Sequence, residues 1–289
     1  MTAKPTTAAG YPPEQVARVR ATCLYLATKL GDLMPEMVVV GGLVPALLID
    51  QANLSADVTP YVGTMDLDLG LAFALVGEER YQEVAERLLN AGFAPDRNEE
   101  GNPTRQRWRI GDPPVTVDFL IEPEKNAEAQ AGRLFSLRKD WAAIIAPGLH
   151  LAFRNNRLVK LTGKTIGGET AARDVRVCGA GAFVALKALA FHIRGENKDA
   201  YDLFYLLAGY GTGVGDVAVE LRPLLNDSTA RKAMEYLGAD FRGIESIGPR
   251  RTAIFLYGRS DAETEADAVG FVHRLLTDCG QTAVGHPAR

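Results

Sequence analysis

The feature that most constrains this chain is a pair of aspartates two residues apart, in Gly63-Thr64-Met65-Asp66-Leu67-Asp68-Leu69. Along a β-strand the side-chain period is two, so Asp66 and Asp68 share one face while Leu67 and Leu69 point the other way, into a core. Two carboxylates about 4 Å apart repel by about 4 kcal/mol at an effective dielectric of about 20. A cation between the oxygens removes that repulsion. Hard oxygen ligands select Mg²⁺, which takes one or two carboxylates and completes its shell with water and substrate phosphates. The spacing therefore predicts a metal-binding strand.

The flanking segments extend this expectation. Met37 to Val40 reads as a short buried strand, and Gly41-Gly42 as a turn that lets backbone approach a ligand closely. A helix is expected to follow to about Gln51, with Pro45 in its first turn. Its first N–H groups would favour a bound anion; the alternative is a plain strand-to-helix turn. Asn53 to Gly63 reads as a loop and Asp66 to Phe73 as the carboxylate-bearing strand. Arg105–Ile110 and Val115–Ile121 flank Gly111-Asp112-Pro113-Pro114, a hairpin signal. Arg105, Arg107 and Arg109 alternate along the first strand, either to hold phosphate or RNA or as a solvated face. Asp118 lies on an otherwise apolar strand. A buried carboxylate without partners is costly, so Asp118 is either capped by hydrogen bonds or a third metal carboxylate acting as general base.

These motifs, in this order, resemble the polymerase-beta-type nucleotidyltransferase superfamily: an apolar-Gly-Gly turn, Thr64-x-Asp66-x-Asp68 on a strand, and a lone Asp118 on a later strand. Lys187 and Lys198-Asp199-Ala200-Tyr201-Asp202-Leu203 are similar to the helical half of the AbiEii-type nucleotidyltransferase toxins, which include the MenT toxins. The similarity covers residues 35 to 210. It implies an α/β (α+β) chain with an N-terminal nucleotidyltransferase domain on a mixed sheet, a helical C-terminal domain, and an active site in the cleft between them. It implies Mg²⁺, one ion or two, on Asp66, Asp68 and Asp118. It further implies an NTP held by Gly41, Gly42, Thr64, Lys187, Lys198 and Asp202, with Lys187 neutralising phosphate charge and Lys198 and Asp202 ordering the cleft. The reaction implied is transfer of a nucleoside monophosphate to an acceptor hydroxyl. The acceptor implied is RNA, especially the tRNA 3′ end, in a toxin whose partner is a cognate antitoxin. One position departs: Val62 stands where the toxins often carry Arg. Two rivals are an enzyme acting on a protein or small antibiotic hydroxyl, and a non-catalytic nucleotide-binding module.

The 289 residues exceed one typical domain. The expected organisation is a nucleotidyltransferase core over 13–125, a β-rich connecting segment over 126–180 and a helical domain over 181–280. No apolar run approaches the ~18 residues that span a bilayer, and Met1-Thr2-Ala3-Lys4-Pro5 lacks an apolar signal core, so a cytoplasmic protein without a membrane partner is expected. Cys23, Cys178 and Cys279 are too scattered for a disulfide framework or zinc site. Net charge is −4, yet Gly132 to Lys164 carries seven basic residues against Asp140 alone, a strip that is either a phosphate footprint or a solvated face.

Helices are expected over Pro13–Leu30, Gly77–Ala91, Phe183–Arg194 and Asp199–Ala208, and then over about Val214–Leu225, Thr229–Tyr236, Arg251–Tyr257 and Ala262–Cys279. Leu149–Phe153 and Leu158–Leu161 flank Arg154-Asn155-Asn156-Arg157 as a further hairpin. Lys187 is conspicuous in an apolar helix; it either snorkels to the surface or reaches a phosphate. Lys198 and Asp202, four apart, are placed to face each other.

Overall fold

Strand β1 (Met37–Val40) is four consecutive fully buried apolar residues, and it organises the sheet around it. In this computed structural model, which describes residues 5–51, 54, 59–72, 78–122 and 130–281, the chain divides into two units. One comprises Pro12–Val44 and Gly63–Cys178; the other comprises Pro5–Tyr11, Pro45–Val62 and everything from Gly179 onward. Of the segment expected over 126–180, the described part from residue 130 belongs to the first unit and adds strands to its sheet as far as Cys178.

The first unit carries a mixed nine-stranded sheet. After helix α1 (Pro13–Leu30), which starts on Pro at its first turn and stops at Gly31 with φ 55°, come β1 and β2 (Asp66–Leu71), paired antiparallel. Helix α3 (Glu78–Asn90) follows β2; the short helix α2 (Val44–Leu48), between β1 and β2 in the chain, belongs from Pro45 onward to the second unit. Strands β3 (Ala94–Arg97), β4 (Pro103–Ile110) and β5 (Val115–Ile121) form a meander, and the expected hairpin is present with Ile110 opposite Val115. β5 lies parallel to β2, which makes the sheet mixed. β6 (Leu134–Ser136) and β7 (Ala142–Ile145) extend it beside the end of β5. Helix α4 (Leu149–Arg154) leads into β8 (Asn156–Lys164), which hairpins onto β9 (Thr170–Cys178); β9 runs parallel to β1. Leu67, Leu69, Val117 and Phe119 have no exposed surface, as their alternation requires. Trp141 seals this core edge-on to Phe119, Tyr81 and Trp108.

The second unit is helical: α5 (Ala180–Arg194), α6 (Asn197–Gly209), α7 (Val214–Leu221), α8 (Ser228–Asp240), α9 (Ile247–Tyr257) and α10 (Ala262–Asp278). Gly195, at φ 62°, makes the turn between α5 and α6. Among the described residues no helix is long and apolar enough to cross a membrane.

Two expectations fail. Leu149–Phe153 is not a strand but most of α4. The backbone turns at Gly148 (φ 81°), and the Glu122 carboxylate accepts the N–H groups of Gly148 and His150, both at 2.8 Å, which caps the helix start from a distant part of the chain. The real hairpin is β8–β9, turning at Thr165–Glu169. The helix after Gly41-Gly42 is also shorter than expected. Gly41–Leu43 is a 3₁₀ turn and α2 ends at Leu48, so the dipole argument for a long helix has little to act on. Gln51 instead bridges Tyr61 N–H and the Tyr205 hydroxyl. The expected loop from Asn53 lies partly outside the described residues, as do the expected strand end at Phe73 and helix start at Gly77.

Candidate active site

The parallel pairing of β2 with β5 sets Asp68 directly beside Asp118, and Asp66 two residues along β2 on the same face. One oxygen from each of the three carboxylates lies within 4.8 Å of the others. Asp66 and Asp118 are only 4% and 3% exposed; Asp68 is half-buried. Thr64, also buried, donates its hydroxyl to Asp66 Oδ1 at 3.1 Å and so fixes that carboxylate.

The glycine turn is built against these same side chains. A Cβ on Gly41 would sit 1.9 Å from Asp68 Oδ2, and one on Gly42 would sit 2.5 Å from Thr64 Oγ1. Gly41 also holds φ 69°, a conformation that favours glycine. The two glycines are therefore required by the site's own walls.

Arg107 on β4 is the cross-strand partner of Asp118. Its Nε donates to Asp118 Oδ1 at 2.8 Å and its Nη2 to Oδ2, a bidentate fork, while Nη2 stands 4.0 Å from Asp66 Oδ2. The Asp118 hydrogen bonds and charge, with Asp66 and Asp68 behind them, hold the guanidinium well above its usual range despite its burial. Three carboxylates and one guanidinium leave a formal charge of −2, carried by hard oxygens, and that suits one divalent cation. Of the three arginines that alternate along this strand, Arg107 faces Asp118, and Arg105 bonds Ser136 Oγ and the Arg138 carbonyl. Counting outward from the Ile110–Val115 closing pair would have set Arg107 opposite Asp118 from sequence alone.

The other expected site residues lie in the helical unit. Lys187 does not snorkel; it is 7% exposed, with Nζ 2.7 Å from both Asp199 Oδ1 and Asp202 Oδ2. Arg194 closes on Asp199 through Nε at 2.6 Å and Nη2 at 2.8 Å. Lys198 pairs with Asp202, four residues along α6, and donates to the Tyr61 hydroxyl at 2.7 Å; that hydroxyl in turn donates to Asp202 Oδ1 at 2.6 Å. The Lys198 ammonium also stands 4.7 Å from the Tyr61 ring centre and 5.4 Å from that of Tyr201.

Burial would raise the Asp199 pKa, but Lys187 and Arg194 overcome it and hold the carboxyl well below its ordinary range. Burial lowers the Lys187 pKa less than Asp199 and Asp202 raise it, so it stays protonated. Lys198 goes the other way: burial, with the like charge of Lys187, outweighs Asp202 and brings it down to about 8. Asp199, present in the motif but given no role by it, is thus the anchor that keeps Lys187 charged. Val62 donates its backbone N–H to the Tyr201 hydroxyl at 3.1 Å.

The basic strip divides among elements. Arg157, Lys160 and Lys164 lie exposed on β8, at one end of the sheet order, and Lys160 stands opposite Asp174. Neither a scan of protein-family models nor a search of curated proteins returns a match for this chain.

Proposed function

We propose that the chain is a Mg²⁺-dependent nucleotidyltransferase that moves a nucleoside monophosphate from an NTP to an acceptor hydroxyl. The observation that carries this reading is the convergence of Asp66, Asp68 and Asp118 on one face of neighbouring strands, beside a glycine turn. Asp66 and Asp68 would hold the metal, with Asp118 as a third ligand. The ion, when bound, supplies charge neutralisation on the phosphates and orients the leaving group.

The chain's own groups do the rest. Thr64 fixes Asp66, and Gly41 and Gly42 let the backbone of the turn close onto Asp68 and Thr64, shaping the wall a polyphosphate would meet. Asp118 takes the proton of the attacking hydroxyl as the hydroxyl oxygen bonds the α-phosphorus and the bond to the departing pyrophosphate breaks. In the helical unit Lys187, Lys198 and Arg194 outnumber Asp199 and Asp202 by one charge, which suits a phosphate-bearing ligand. Family resemblance makes RNA, and the tRNA 3′ end in particular, the acceptor, in a cytoplasmic toxin restrained by an antitoxin.

The test is label transfer: the protein, Mg²⁺, each α-labelled NTP in turn and total bacterial RNA, with Asp68→Asn alongside. A labelled tRNA-sized band that is lost in the variant supports the reading. Label on protein moves the acceptor to a protein hydroxyl, and absence of label on any acceptor, with NTP binding also absent, contradicts it.

A further inference from the structure

We propose that Arg107 is a resident counter-cation that a divalent ion must displace, so that guanidinium and metal compete for Asp118. This inference rests on the metal-binding reading of the three aspartates. Both oxygens of Asp118 already spend a lone pair on the fork from Nε and Nη2, so a metal approaching either oxygen shares it with a guanidinium hydrogen bond and meets the guanidinium charge at close range. The same guanidinium is 4.0 Å from Asp66 Oδ2, within range to repel any cation lodged between Asp66 and Asp118.

The arrangement explains how three carboxylates crowd together before a metal arrives. Arg107 removes one of their three negative charges, and its burial beside them is satisfied by the fork. The neighbouring arginines are engaged elsewhere. Arg105 bonds Ser136 and a carbonyl, and Arg109 leans toward Asp96 at 3.9 Å. Once displaced, the guanidinium seeks another anion. A phosphate-bearing ligand supplies one, so metal and nucleotide strengthen each other's binding through the same side chain.

The test is Mn²⁺ titration of the full chain, following free Mn²⁺ by electron paramagnetic resonance, for the parent, Arg107→Gln, Arg107→Lys and Asp66→Asn. Removing the competing charge in Arg107→Gln should tighten Mn²⁺ binding by about tenfold, whereas Arg107→Lys, which keeps the charge, should stay closer to the parent. A merely structural Arg107 gives the opposite sign, because Asp118 loses its support and affinity falls. Unchanged or weaker binding in Arg107→Gln, with Asp66→Asn abolishing binding, overturns the competition and leaves the metal site standing. No Mn²⁺ binding in any form overturns both.

A second measurement needs no folded Arg107→Gln. In the parent the Arg107 Nε–H proton, hydrogen-bonded to Asp118, should exchange slowly in the metal-free protein and lose that protection at saturating Mg²⁺. Retention of that protection overturns the proposal.

Discussion

Asp68 on β2 and Asp118 on β5 are direct partners across a parallel strand pair, so two carboxylates from separate segments stand side by side on one face of the sheet. Asp66, two residues along β2, completes the group. This juxtaposition is costly in a metal-free protein and useful in a metal-loaded one, and substitutions at the site separate the cost from the use.

Asp68→Asn keeps the side-chain shape and removes one of three crowded charges. The metal-free variant should melt no lower than the parent in calorimetry. Its divalent-ion affinity should fall by more than the roughly 10–100-fold seen for groups that only support metal ligands. A large loss of melting temperature would instead assign Asp68 a structural role.

Gly41→Ala should harm the site beyond its backbone cost. Placing a side chain at φ 69° costs about 1–2 kcal/mol, and the added methyl would sit 1.9 Å from Asp68 Oδ2. Gly92→Ala is the control, since Gly92 has φ 84° and nothing within 4 Å of its Cβ position. Both variants should lose stability in urea, but only Gly41→Ala should weaken Mn²⁺ binding.

Lys187→Met leaves Asp199 and Asp202 buried without the ammonium between them. Breaking a buried pair by removing one partner costs about 3–5 kcal/mol, so the urea midpoint should drop sharply. Adding Asp202→Asn to Lys187→Met should recover part of that loss, a non-additive result that a simple cavity would not give.

Lys198 sets a pH dependence. Its ammonium titrates near 8 in the folded chain and at 10.5 when unperturbed. Between those values the unfolded chain holds a proton that the folded chain has released, so this group makes stability rise with pH across that window. Lys198→Met should flatten the rise in denaturant melts between pH 8 and 10. A parent curve no steeper than the variant's would contradict the assignment.

Much of this fold is legible in residues close together in sequence. The two-residue spacing of Asp66 and Asp68 fixes their shared face, and Gly111–Pro114 fixes the β4–β5 hairpin. The apolar run from Phe183 and the break at Gly195 mark α5 and α6. What stays hidden depends on long-range contacts. Leu149, Leu151 and Phe153 alternate like a strand, but Glu122 caps them into a helix. No local pattern sets Pro45–Val62 with the helical unit, where Tyr61 binds Asp202. Lys187 stands out as a charge in an apolar helix, yet its partners come from the next helix, and only the packing of α5 on α6 identifies them. Arg107 and Asp118 lie between these cases, because the hairpin register alone is enough to set the guanidinium opposite the carboxylate.

The most direct test of the central claim compares α-labelled with γ-labelled NTP under Mg²⁺ and RNA. Nucleotidyl transfer predicts α-label on the acceptor, γ-label released in pyrophosphate, and loss of both in Asp66→Asn. Transfer of the γ-label to the acceptor, or α-label transfer that persists in Asp66→Asn, would contradict it.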